Sequence, residues 1–231
     1  NSGATFETTP PIEHTIAIIG ESLSSGLNHM TGQYINTSPQ GDVAYATYTG
    51  VTSYFNYFGQ ECGYDDYFNA GSSGSGWARN GDTVPFNNAT RLADVIARNP
   101  DCVVLGSPGN DTNNGVTGSA ASSSADTALS TLRTALPDSL LIILGLGTLE
   151  GSSTSAAIDA ALRSKAQEYG AWYIQPYGSG EVVNPSGAVT TTLTPADLNT
   201  YMSNDGQHPS QEGAMIIGKV VAKFVKACHP A

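Results

Sequence analysis

Three short runs of the chain are almost wholly apolar: Thr15 to Ile19 (TIAII), Cys102 to Leu105 (CVVL) and Leu140 to Leu144 (LLIIL). A strand with one face in water alternates apolar and polar residues. Continuous runs of this length therefore call for a sheet covered on both faces, the habit of parallel sheets. The segments Tyr67 to Ala70 and Ala171 to Ile174 complete a set of five candidate strands. Helical spacing fills the intervals. Asn88 to Arg98 carries Leu92, Val95 and Ile96 on one face and stops at Asn99-Pro100, and Ser124 to Leu136 runs up to Pro137. Ser155 to Tyr169 and Gln211 to Val225 repeat the pattern. Strand alternating with helix predicts an α/β fold: a three-layer α/β/α sandwich around a central, mostly parallel five-stranded sheet of the doubly wound, flavodoxin-like kind. Residues 1–11 read as a Thr/Pro-rich linker or tail and residues 12–231 as a single domain.

Composition narrows the function. With 9 Lys+Arg against 20 Asp+Glu the chain carries a net charge of −11, and only 13% of its 231 residues are charged. Such a surface repels phosphate backbones, so no nucleic acid is expected as a partner. No apolar stretch reaches the length of a membrane span. The Ser/Thr/Asn-rich, charge-poor surface and a start at Asn1 lead us to expect a mature, extracellular (secreted) form, or a module of a larger extracellular or phage assembly. Asn36, Asn88 and Asn110 each open an N-x-S/T sequon, and a glycan on Asn110 would block the chemistry considered below, which favours a non-glycosylating source or an unmodified site. Cys62, Cys102 and Cys228 form no Cys-x-x-Cys pair, and the four histidines lack ligand spacing, so no metal is expected. The three cysteines are expected at the end of the sheet away from the site, with any disulfide structural and its pairing open.

In a sheet of this kind ligands bind where loops leave the carboxyl ends of the strands. The first such loop reads Ile19-Gly-Glu-Ser22, where Ser22 either caps a helix or presents a hydroxyl for nucleophilic attack. The last reads Asn204-Asp-Gly-Gln-His208. There Asp205 can accept from one ring nitrogen of His208, leaving the other to take a proton; alternatively the segment is an Asx-turn beside a surface histidine. The third, Gly106-Ser-Pro-Gly-Asn110-Asp111, offers the Asn110 amide to a developing oxyanion or forms a plain turn. The second, Asn69 to Trp77, is Gly/Ser-rich, which lets a backbone N–H approach a substrate closely.

Together these four segments, from Ser22 to His208, resemble the sequence blocks of the GDSL-type serine hydrolases, also called SGNH hydrolases. The resemblance implies the SGNH hydrolase fold, with a catalytic triad of Ser22, Asp205 and His208 and an oxyanion hole made by Ser22, Gly74 and Asn110. Gly74 matches the second block better than Gly71 does. Glu21 stands where the family usually has Asp, so no role is carried over to it. The resemblance also implies carboxylic ester hydrolysis through an acyl-enzyme, with no cofactor. The polar loops lack a long apolar acyl-binding patch and point to O-deacetylation of a carbohydrate, with a small-molecule or polysaccharide ester as substrate. The alternatives are a lipolytic esterase or thioesterase acting on longer acyl chains, and a non-catalytic carbohydrate-binding module that has kept the fold. Trp77 is the expected substrate wall, with Tyr177, Arg79 and the 178–194 loop as weaker candidates. The aromatics at 48–62, at helical spacing, are expected to be core.

Overall fold

A computed structural model describes residues 15–22, 35–36, 46–47, 54–64, 66–79, 84–145, 153–196 and 211–228. The tail assigned to residues 1–11, and Asp205 with His208, lie outside the described residues. Five strands run parallel in the order β4 (Asp66–Asn69), β1 (Thr15–Ile19), β5 (Cys102–Leu105), β6 (Leu140–Leu144) and β7 (Trp172–Ile174). These are the five predicted segments. The sheet nevertheless has seven strands, not five: β8 (Glu181–Val183) pairs antiparallel with β7, and β9 (Val189–Thr192) closes the edge. Most of the 178–194 stretch expected as a loop is thus a hairpin. Its turn is set by Asn184, whose Oδ1 accepts from the N–H groups of Ser186 and Ala188, both at 3.0 Å, and by Gly187 at φ +85°. A separate two-residue ribbon joins β2 (Ile35–Asn36) and β3 (Ala46–Thr47).

Because strand side chains alternate, each buried run serves two cores. Ala17, Ile19, Val103, Leu105, Leu141 and Ile143 face the helices α2 (Ala89–Ala97), α4 (Gly118–Ala135) and α5 (Ser153–Glu168). Ile16, Ile18, Val104, Ile142 and Leu144 face α1 (Tyr54–Cys62) and α6 (Gln211–Cys228). This is the three-layer arrangement that uninterrupted apolar strands demand. Each fully buried Ile or Leu contributes about 1.5–3 kcal/mol. Of the aromatics, Tyr54, Phe55 and Phe58 are buried in the second core. Helix α4 starts at Gly118, earlier than the apolar spacing indicated, because Thr117 caps it by accepting from the Ala120 N–H at 3.2 Å. A short helix, α3 (Gly109–Asn113), follows β5.

At the carboxyl ends the first three parallel strands stay knitted beyond their last residues. The N–H of Ala70 donates to Ile18 O at 2.8 Å, and that of Gly106 to Ile19 O at 2.7 Å. A Cβ on Gly106 would lie 2.9 Å from the Gly20 Cα, so only glycine permits this approach. The loops that leave these three strands therefore start side by side.

Candidate active site

Just beyond β1 the backbone turns helical at Ser22, whose side chain is almost buried, at 9% exposure. Glu21 is buried and accepts a hydrogen bond from Ser107 Oγ at 3.2 Å, tying the end of β1 to the loop after β5. The Gly20 carbonyl, two residues before Ser22, accepts from the Ser72 N–H at 3.0 Å and from Ser75 Oγ at 3.1 Å. It also accepts from Arg91 Nη2.

The second loop makes a tight turn over 72–75, closed by the Ser75 N–H donating to Ser72 O at 3.1 Å. Gly74 occupies the third position at φ +72°, a conformation that favours glycine and matches a type II turn. Its N–H has no acceptor among the described residues. From the first turn of α3, Asn110 Nδ2 donates to Ser75 O at 2.9 Å, which leaves the other proton of that amide without an acceptor among the described residues. Asp111 is fully buried and accepts from the N–H groups of Trp77 at 2.7 Å, Ala78 at 2.8 Å and Arg79 at 3.1 Å. Burial pushes its carboxyl up from the usual range, while those N–H donors pull it down. The structure thus joins the loops of Ser22, Gly74 and Asn110 by direct hydrogen bonds.

The substrate wall expected from Trp77 is corrected. Trp77 has 0% exposure and packs on Phe86 at 5.3 Å between ring centroids, inside the first core. Its N–H is held by Asp111 and its carbonyl by Ser124 on α4, while its indole packs on Phe86: proximity in sequence to the site did not set the direction of the side chain. Tyr177 is likewise buried, in the second core. Burial pushes the hydroxyls of Tyr54 and Tyr177 up, and the Glu21 carboxylate adds to both shifts. Arg79, half-buried, remains at the rim of the loop. A cavity of about 700 Å³ lies at the other pole, around Cys62, Tyr64, Asp101, Pro137 and Lys226, and none of the proposed site residues lines it.

Sequence reasoning missed Arg91, Asp111 and Ser107. A signal existed for the first, since Arg91 and Val95 share the helical face that carries the apolar residues, where a cation has to be buried. Asp111 directly follows the singled-out Asn110, but nothing in the residue order tells which amides it would meet.

No protein-family model and no curated protein matches the chain. Solved structures do. A protein described as a GDSL-like lipase, from Parabacteroides merdae, superposes with a TM-score of 0.61 at 16% identity over 93% of this chain and 96% of its own. The psychrotrophic esterase EstA from a Pseudoalteromonas species gives a TM-score of 0.61 at 14% identity, over 93% and 97%. A carbohydrate esterase family 2 enzyme with a carbohydrate-binding domain, from Corynascus thermopiles (Myceliophthora fergusii), gives 0.58 at 19% identity, over 95% and 68%. The fold of this chain is that of the GDSL-type, or SGNH, hydrolases.

Proposed function

We propose that the protein is a serine esterase that works through an acyl-enzyme on Ser22. The observation that carries this reading is a pair of donors without acceptors among the described residues, the Gly74 N–H and the second proton of Asn110 Nδ2. Both sit on loops hydrogen-bonded to each other and, through Ser72 and Ser75, to the carbonyl of Gly20 just before Ser22. Donors held in place and unused are what a developing oxyanion requires. In the reaction His208 removes the Ser22 proton as Oγ attacks the ester carbonyl, and Asp205 fixes the imidazole tautomer. The oxyanion accepts from the N–H groups of Ser22 and Gly74 and from Asn110. Collapse expels the alcohol, which takes the proton from His208, and water then repeats the sequence to release the acid. No step needs a cofactor.

For the substrate we infer a short acyl ester, an O-acetyl group on a neutral carbohydrate. The charge of −11 disfavours anionic polymers, and the likeness in fold to a carbohydrate esterase supports the same direction. The composition supports an extracellular setting. The test is turnover of p-nitrophenyl esters from acetyl to octanoyl beside acetylated polysaccharides. Wild type is expected to prefer acetyl, and Ser22→Ala to lose about 10⁴–10⁶-fold in kcat. Wild-type turnover in Ser22→Ala sinks the nucleophile. A steady rise toward octanoyl replaces the deacetylase with a lipolytic enzyme. Glycan binding without hydrolysis of any ester makes the chain a binding module.

A further inference from the structure

A fully buried arginine is costly unless every donor is satisfied, because its charge cannot be removed by deprotonation. Arg91 is fully buried on α2, beside the apolar Leu92 and Val95. Its guanidinium reaches the two loops that carry Ser22 and Gly74, and also the carbonyl of Val84. Nε donates to Ala70 O at 2.7 Å, Nη1 to Ser75 Oγ at 3.1 Å and to Val84 O at 3.2 Å, and Nη2 to both Gly20 O and Ala70 O. These acceptors include a carbonyl two residues before Ser22, the Ala70 carbonyl at the start of the second loop, and the hydroxyl immediately after Gly74. Asp111 grips the same loop by complementary atoms, through the N–H groups of Trp77, Ala78 and Arg79. The fit is close: a Cβ on Gly76 would stand 2.3 Å from Asp111 Oδ2. Ser124 Oγ adds a hydrogen bond to Trp77 O.

We propose that Arg91 and Asp111 are positioning residues that clamp the 70–79 loop, Arg91 by the Ala70 carbonyl and the Ser75 hydroxyl and Asp111 by the amides of Trp77, Ala78 and Arg79, and so fix the Gly74 N–H relative to Ser22. The proposal rests on the esterase reading above. A loop held only by its ends would let the 72–75 turn shift, and a displacement of about 1 Å in a catalytic group can cost about 10²-fold in rate. Because an oxyanion donor acts chiefly in the transition state, the loss falls on kcat and not on KM.

The test uses Arg91→Lys, which keeps the charge but has three donors in place of five, and Asp111→Asn, which keeps the shape but turns an amide group toward main-chain N–H donors. With p-nitrophenyl acetate each is expected to lose about 10–100-fold in kcat, with KM within about threefold of wild type. Arg91→Met is expected to fall further than Arg91→Lys. Amide exchange supplies a readout independent of turnover: in Asp111→Asn the protection of Trp77, Ala78 and Arg79 drops while that of β1 and β5 stays. A lowered melting temperature with unchanged kcat in both variants makes the clamp merely structural and overturns the proposal, as does unchanged protection at Trp77. If Arg91→Lys does not fold, Asp111→Asn alone decides. A wild type that turns over no ester overturns the esterase reading and with it the catalytic half of the proposal. Exchange at Trp77 then still decides whether Asp111 holds the loop.

Discussion

Cys62 sits at the end of α1, half-buried, with its thiol against Ala222 O at 3.8 Å. Burial pushes this thiol up to about 11; Lys226 draws it down a little and Glu61 raises it again. Cys102 and Cys228 lie close enough to influence one another and Cys62, and both are buried and raised further. All three thiols are free, and the thiolate is the reactive form. Disulfide reagents should therefore modify Cys62 alone in the native protein. Its rate should rise about tenfold per pH unit between neutrality and pH ~10, and Cys62→Ser should abolish the reaction. In denaturant three thiols should titrate; a smaller count would reveal a disulfide and contradict the free-thiol arrangement. The same polar-versus-apolar logic explains why single residues were read unevenly from sequence. Burial of Ile18 or Leu141 follows from the run around it, but the placement of Trp77 follows from Asp111 and Ser124, which hold its main chain from far away in sequence, and from Phe86 against its indole.

Among the elements, α2 bears on the site because it carries Arg91. Asn88 caps it, accepting from the Arg91 N–H at 3.1 Å through Oδ1. Asn88→Ala is expected to cost about 0.5–2 kcal/mol in urea unfolding. Because the cap is bonded to Arg91 itself, kcat should fall slightly as well, whereas Thr117→Ala at the start of α4 should lower stability alone. Parallel measurement of unfolding and turnover separates the two. The parallel strands were legible because burial on both faces leaves no polar positions. The hairpin of β8 and β9 was not, since an edge strand such as VTTT keeps its side chains largely exposed and carries no continuous apolar signal. The loops after β1, β4 and β5 could be named as a candidate site from strand order and glycine content, but their mutual hydrogen bonds could not.

At the scale of the molecule, acid stability depends on how carboxylates are paired between helices. Lys165 Nζ lies 2.7 Å from Asp126 Oδ1 and 2.7 Å from Glu168 Oε2, joining α4 to α5, and the Tyr169 hydroxyl donates to Asp126 at 2.8 Å. Lys165 first, then Tyr169, hold the Asp126 carboxyl below its ordinary value of 3.8. A depressed carboxyl stabilises the fold above its unfolded pKa and loses that contribution as the pH falls through the folded one. Asp126→Asn should therefore melt below wild type at neutral pH and together with it in strong acid. A gap that persists in acid would point to lost packing. The division of the interior into two cores has one more consequence, for the protein's capacity to change. Arg91, Ser124 and the buried Trp77 all belong to the α2/α4 side of the sheet, and α1 and α6 to the other. Substitutions can accumulate and compensate one another in the α1/α6 layer without passing through the clamp, so that layer, apart from the first turn of α6 that opens at Gln211 just after His208, is where this fold can drift or be redesigned at least risk to the clamp.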